Sequence, residues 1–285
     1  MESVALRTPL TSRCRRAAAA LRIACVLLVA CPTAAGARAE TGAGLFVSAT
    51  RLVFPGTARE ASLQIHNENV YPVLVQTWVD AGDPTADPAT IDVPFVVLPP
   101  LMRLQPNEAR ALRVVYTRQP LPSDRESVFW LNAQMIPPHP DDGAARDHVM
   151  EVSVRIRQKI FFRPPRLVGG SAEWIQRLDC RPSRQAELVI VQCRNPTPYF
   201  ATIDRLGMTE EDGEFSALGD MLAPFGEMEF RLLKEGAALD RDRPDRQAAG
   251  RLSIAAIDDE GRVTVVVNDA PPWSAPPVRP ATSAP

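Results

Sequence analysis

An all-β fold of two sandwich domains is what this sequence predicts, and three observations predict it. Nearly every periodic segment alternates apolar and polar residues, and almost none repeats at the helical period. The segments are short, rich in Val, Ile, Phe and Trp, and bounded by Pro, Gly, Asn or Asp; the 28 prolines must lie in turns, edges and linkers. Once a leader is set aside, about 246 residues remain, which suits two ordinary domains that each bury a core.

The leader comes first. Arg7, Arg13, Arg15, Arg16 and Arg22 form a basic region, and "IACVLLVA" (Ile23 to Ala30) is an apolar run too short to span a bilayer. "ARA" (Ala37 to Ala39) has the small-x-small form of a signal-peptidase site, so residues 1–39 read as a signal peptide and the chain as exported. The alternative takes "LVAC" (Leu28 to Cys31) as a lipobox with Cys31 lipidated; Pro32 and the cleavage site downstream weigh against it. The leader is long enough that an internal start codon stays open. Without these residues, which hold six arginines and one acid, the chain keeps 26 Lys+Arg against 33 Asp+Glu, a net charge of about −7. An acidic exported protein is a poor candidate for nucleic-acid binding.

The alternating runs then follow in order. "LFVSATRLVF" (Leu45 to Phe54), "ASLQIHN" (Ala61 to Asn67), "VLVQTWVD" (Val73 to Asp80), "ALRVVYT" (Ala111 to Thr117) and "SVFWLNAQMI" (Ser127 to Ile136) each read as a strand. The longest is "MEVSVRIRQKIFF" (Met150 to Phe162). Met150, Val152, Val154 and Ile156 share one face of it, while Arg155, Arg157, Lys159 and Arg163 crowd the other with no acid among them. "RPPRLVGGSAEW" (Arg163 to Trp174) stops one unit with prolines and opens a bend with glycines, so the first domain spans 40–165 and the second 166–269. "ELVIVQC" (Glu187 to Cys193), "RLSIAAI" (Arg251 to Ile257) and "VTVVVN" (Val263 to Asn268) supply strands of the second; residues 270–285, Pro and Ala rich, read as a disordered tail. Cys180 and Cys193 are the only cysteines beyond the leader and flank a turn-like "RPSR" (Arg181 to Arg184). An even count in an oxidising compartment favours a structural disulfide, since a redox pair would show C-x-x-C spacing.

A catalytic constellation cannot be assembled. There is no G-x-S-x-G, no H-E-x-x-H and no phosphate-binding glycine loop. Of three histidines, His66 sits in "IHNEN", and His139 and His148 flank a polar stretch with Asp141, Asp142 and Asp147. That group matches no metal framework, and a solvated loop is the preferred reading. No catalytic residue, metal, cofactor or nucleotide is expected, and the function lies in binding.

Several stretches together carry a resemblance. "TRLVFPG" (Thr50 to Gly56), "PPLMRLQP" (Pro99 to Pro106), "LPSDRESVFWLNAQMIPP" (Leu121 to Pro138), "KIFFRP" (Lys159 to Pro164), "NPTPYF" (Asn195 to Phe200) and "IDDEG" (Ile257 to Gly261) occur in this order. The chain resembles the periplasmic pilus-assembly chaperones of the chaperone-usher pathway over essentially all of its length after the leader. The resemblance implies two immunoglobulin-like sandwiches set at an angle with a cleft between them. It also implies an ATP-independent chaperone whose partners are pilus subunits and an outer-membrane usher. In that pattern Arg51 and Lys159 match the cations that grip a subunit's terminal carboxylate. Met150, Val152 and Val154 match the donor positions that fill a subunit's open groove, with Ile156 extending them. Glu126, Arg163 and Asp259 match an interdomain charge cluster, with Asp258 an alternative to Asp259. The rest of the cationic side of the long strand reads as an ordinary wet face, and the uncovered apolar ridge leaves the free protein open to self-association. Two features depart from the pattern: the stretch between "IPP" and Lys159 is longer than in short-loop members, and the Cys180/Cys193 pair is not general to the family. A competing class is an exported immunoglobulin-like adhesion or carbohydrate-binding protein that uses the loops at one end of a sandwich.

Overall fold

The computed structural model describes residues 44–138, 152–167, 169–185, 188–210, 213–234 and 250–269. The signal region, Met150, the tail, and His139 and His148 with Asp141, Asp142 and Asp147 lie outside the described residues.

Alternation in the first half of the chain produces two facing sheets. One has the order β1-β3-β7-β5, from β1 (Leu45–Val47), β3 (Glu60–Asn67), β7 (Ala109–Tyr116) and β5 (Phe95–Leu98). The other has the order β2-β9-β8-β4-β6, from β2 (Arg51–Pro55), β9 (Arg155–Arg163), β8 (Ser127–Ile136), β4 (Val73–Asp80) and β6 (Leu101–Leu104). "LFVSATRLVF" is therefore two strands in opposite sheets and not one. Its core-facing residues change parity, from Leu45 and Val47 to Leu52 and Phe54, and the chain crosses between sheets at that change. β2 lies parallel to β9, whereas the other ladders of this sandwich are antiparallel. Between the sheets, Phe54, Ile65, Val75, Leu104, Leu112, Leu131 and Ile160 are essentially sealed from solvent. An aromatic group fills one end, with ring centroids 5.2 Å apart for Phe54 and Phe95, 5.1 Å for Phe95 and Phe129, and 4.8 Å for Tyr116 and Phe162. Each such side chain contributes roughly 1.5–3 kcal/mol of burial.

The second half forms one continuous ladder in the order β10-β11-β15-β13-β12-β16-β17. Its strands are β10 (Asp179–Gln185), β11 (Leu188–Arg194), β15 (Glu227–Lys234), β13 (Gly213–Leu218), β12 (Ala201–Glu210), β16 (Arg251–Ile257) and β17 (Val263–Asp269), with β14 (Met221–Leu222) beside the start of β12. Val189, Val191 and Leu232 from one end share a core cluster with Leu206, Leu252 and Ile254 from the other, so the ladder curls around a single interior. Cys180 and Cys193 sit opposite each other in β10 and β11 and are disulfide-bonded. "RPSR" is strand and not turn, paired with β11. The expected bend before the second sandwich contains a short helix, α1 (Ser171–Arg177), held by Trp174, which is buried in the second core.

Candidate functional site

The face of the β2-β9-β8-β4-β6 sheet turned away from its own core carries the candidate site. Residues that pair in register line up in one row across this sheet: Arg51 on β2, Lys159 on β9, Trp130 on β8 and Asp80 on β4. Arg51 and Lys159 are thus direct neighbours, as a parallel pair in adjacent strands dictates. Arg51 reaches into the second sandwich: its Nη1 donates to the Ile257 carbonyl at 3.2 Å and weakly to Thr202 Oγ1 at 3.4 Å. Its Nε is buried without an acceptor, and the guanidinium stands over the Phe161 ring at 5.8 Å. Lys159 makes no hydrogen bond or ion pair among the described residues. Burial pulls its ammonium below the usual lysine range, the neighbouring Arg51 charge adds to the pull, and Asp220 opposes it. Burial also lowers the Arg51 guanidinium, against the charges of Asp259 and Asp258. Two half-buried cations side by side, with donors to spare, form a site built for an anion.

Next to this pair, β9 has a free edge. Lys159 to Phe162 bond to β2 on one side and β8 on the other, whereas Arg155 to Gln158 pair only with β8 among the described residues. Ile156 packs against the core of the first sandwich, and the same apolar face runs on through Val154 and Val152, which are 39% and 55% exposed. Val152 to Val154 precede the strand proper but stay moored to β8: Met135 N donates to the Val154 carbonyl at 2.8 Å, and Ser153 Oγ donates to the Met135 carbonyl at 2.7 Å. Of the four expected donor residues, Met150 lies outside the described residues.

Glu126, Arg163 and Asp259 meet where the two sandwiches touch. Arg163 Nε donates to Glu126 Oε1 at 2.8 Å, and its two Nη groups grip Asp259 at 3.0 and 3.1 Å. The same guanidinium donates to the Gly169 carbonyl and stands 5.1 Å over the Tyr199 ring. Glu126 is 4% exposed; its other oxygen accepts from Phe200 N at 2.8 Å, and its own N–H donates to the Pro198 carbonyl at 2.9 Å. Burial pushes the Glu126 carboxyl up even though Arg163 and Phe200 N favour its charge. Burial alone would lower Arg163, but the bonds to Asp259 and the charge of Glu126 more than offset it. The asymmetry is physical, since one guanidinium answers to two carboxylates while Glu126 shares it with a repelling neighbour. Asp258 is engaged elsewhere, accepting from Arg262 N and Nε in its own turn. Phe161 and Phe200, 5.9 Å apart, and Arg125 over Phe225 at 5.2 Å complete the contact between the sandwiches.

The cationic side of β9 departs from expectation. Arg155 and Arg157 do not form a wet face; they lie over Trp78 and Trp130 and bond to Asp80 and Asn132, both buried. The acids absent from the strand's own sequence come from β4. Among the described residues, no group of three or more His, Cys, Asp or Glu is arranged to hold a metal ion, and no helix is long and apolar enough to cross a membrane.

Comparison with known proteins shows the family. Residues 44–168 match the family model described as the pili and flagellar-assembly chaperone PapD N-terminal domain, and residues 173–266 match that of the pili assembly chaperone PapD C-terminal domain. The chain is 33% identical over 228 residues to the chaperone protein FimB/FhaD of Bordetella pertussis, covering 78% of this chain and 86% of that one. It is similar to the solved CupB2 chaperone of Pseudomonas aeruginosa, with a TM-score of 0.63 and 32% identity over 79% of this chain and all of that one. A chain of the Salmonella enterica SafA pilin complex with the SafB chaperone is also similar, with a TM-score of 0.61 and 26% identity over 79% of this chain and 96% of that one.

Proposed function

Because this chain belongs to the family of pilus-assembly chaperones, with both the N- and C-terminal domains of PapD in it, we propose that its free β9 edge and cation pair are where it takes hold of a pilus subunit. It is a chaperone of the chaperone-usher pathway that binds pilus subunits by lending them a strand, and it passes them to an outer-membrane usher. The adhesion or carbohydrate-binding reading is not favoured. Fimbrial chaperones of this family work in the periplasm; export through a signal peptide ending near Ala39 is part of the proposal.

The observation that carries this reading is the junction of edge and charge at one point. Chaperone–pilin complexes are a standing example of strand addition, in which main-chain bonds give affinity and alternate side chains fill pockets. On this sheet the available edge ends at Lys159, where β2 takes over. An added strand that finishes in a carboxylate beside Arg51 and Lys159 must therefore run parallel to β9 and end head-on against the start of β2. From the Lys159 row back to Val152 is seven residues, about 23 Å at the rise of a parallel strand. Ile156, Val154 and Val152, with Met150 beyond them, then present apolar side chains to the subunit's open groove, and the carboxylate fixes the register. The Glu126–Arg163–Asp259 cluster holds the sandwiches so that Ile257 and Thr202 can orient Arg51. Uncovered, the same apolar residues leave the free protein open to a second copy.

Co-expression of the chaperone with a co-exported pilus subunit tests this. Arg51→Ala and Lys159→Ala should each reduce recovery of a one-to-one complex at least about a hundredfold, the scale of losing a charge-assisted bond at a partly desolvated site, while the isolated chaperone stays folded. Undiminished recovery with both substitutions in place refutes the anchor.

A further inference from the structure

We propose that Asp80 and Asn132 are positioning residues for strand donation: Asn132 on β8 and Asp80 on β4 beyond it clamp Arg155 and Arg157 and so hold the one-sided stretch of β9 in place for the incoming strand. This rests on the reading of β9 as the donor edge.

A donor edge has a structural problem. Strand edges are ordinarily protected by covering them, bulging them or placing charges on them, and each of those devices would block a client strand. Arg155 to Gln158 must stay straight and open with ladder bonds to β8 alone among the described residues, next to Lys159 to Phe162, which are bonded on both sides. Segments with few bonds open locally at low cost.

The outer face supplies a substitute for the missing neighbour. Arg157 crosses β8 to reach β4, its Nη2 donating to Asp80 at 2.8 and 3.1 Å and its Nε to Asn132 Oδ1 at 3.2 Å. Arg155 Nε donates to the same Asn132 oxygen at 2.9 Å, its Nη1 to the Pro84 carbonyl at 2.7 Å, and its Nη2 to Asp80 at 3.4 Å. Asp80 and Asn132 are 1% and 0% exposed, and Asp80 is itself fixed by Gly82 N at 2.7 Å and Asn132 Nδ2 at 2.8 Å. The rings of Trp78 and Trp130 lie beneath the two guanidiniums, at 4.8 and 5.6 Å. A water-facing arginine needs none of this; a sealed carboxylate facing two guanidiniums costs desolvation that ordinary surface positions do not pay. The clamp sits on the part of β9 that has no second strand partner among the described residues, and none of its own side chains covers that edge.

Asp80→Asn in the full chain is the decisive variant, read by amide hydrogen exchange and by the rate of subunit capture. The β8-bonded amides of residues 155–158 should exchange about tenfold faster, those of 160–163 and of β12 should keep their protection, and capture should slow about tenfold with an unchanged far-ultraviolet spectrum. Uniformly faster exchange across the first sandwich would make the network a general stabiliser and overturn the proposal; so would unchanged capture. Should Asp80→Asn fail to fold, the Arg155→Lys/Arg157→Lys double variant, which keeps the charges but loses the forks and stacking, must show the same local pattern. Wild-type exchange and capture in it would refute the clamp. Val154→Asp separates the two claims: if it abolishes capture while Asp80→Asn leaves it intact, only the clamp fails, and if it leaves capture intact, the donor reading fails with it.

Discussion

The two sandwiches share a buried latch and differ at their last strand. In the first, Asn67 Nδ2 donates to the carbonyls of Tyr71, Leu104 and Gln105, and its Oδ1 accepts from Asn69 N at 3.0 Å. In the second, Asn195 Nδ2 donates to the carbonyls of Tyr199 and Ala223, and its Oδ1 accepts from Thr197 N at 3.1 Å. Each asparagine also donates its own N–H across to a tight turn, to Glu108 or Gly226, just after a left-handed residue, Asn107 at φ 59° or Phe225 at φ 58°. The final strands diverge from this common plan. β17 pairs with β16 along its whole length and with no other strand among the described residues; β9 has an edge that stops against two cations. An exposed strand edge is thus not what makes a donor, because both sandwiches have one. On the proposed reading, the donor is the edge with a charged terminus.

Exchanging the same residue at both edges is the sharpest way to break that contrast. Val154→Asp should abolish subunit capture, at least about a hundredfold, since a carboxylate cannot enter an apolar groove without a large desolvation penalty. Val265→Asp, at a valine of β17 that is 59% exposed, should leave capture unchanged, and both should unfold within about 0.5 kcal/mol of wild type. Loss of capture only in the β17 variant would transfer the donor role to the second sandwich. The latch should behave in the opposite way, alike in both halves. Asn67→Ala and Asn195→Ala each strand buried carbonyls and should each cost about 3 kcal/mol by denaturant unfolding. A latch essential in one sandwich and dispensable in the other would show that the shared geometry is not a shared framework. Reducing or replacing the Cys180–Cys193 bond, which closes 13 residues of sequence, should cost roughly 2–3 kcal/mol in the second sandwich alone while the first keeps its exchange protection.

How much of this was legible in sequence depended on whether one residue's neighbours came from its own strand. The alternation of "VLVQTWVD" and "SVFWLNAQMI" encodes β4 and β8 directly, and the all-β architecture follows. β12, β13 and β15 were missed because charged residues, Asp204 and Arg205 in β12 and Glu229 and Arg231 in β15, interrupt the apolar signal; in β15 the inward set Met228, Phe230 and Leu232 still kept period two. The parity change at Ser48 to Thr50 was available as a sign of the sheet switch. Arg51, Lys159, Glu126, Arg163 and Asp259 came from motif resemblance, and no local pattern links residues so far apart in the chain. The clamp on Arg155 and Arg157 was misread for the same reason: its acid, Asp80, arrives from a strand 75 residues earlier, and its register is set only when β4, β8 and β9 assemble.

The smallest expected effect concerns Lys159 itself and separates the two edges by stability. In the free protein its ammonium lies below the ordinary lysine value of 10.5, so the unfolded chain holds that proton to higher pH than the folded one does. Stability therefore rises as pH climbs from the folded value towards 10.5, and at neutral pH the unpaired charge is a standing cost. Lys159→Met should remove that cost, raising the stability of the free chaperone by roughly 0.5 kcal/mol at a half-open site and flattening the alkaline arm of its stability profile, while capture is lost. The complex should show the reverse sign, because a subunit carboxylate pairs the ammonium and raises its pKa, so binding weakens as pH rises through the value in the complex. No residue of β17 should show this trade, since a strand edge without a charge to satisfy has nothing to gain from a client. Chemical unfolding of the free variant across neutral to alkaline pH decides it: a Lys159→Met protein less stable than wild type would mean that the lysine already has its partner, and the site would not be waiting for a carboxylate.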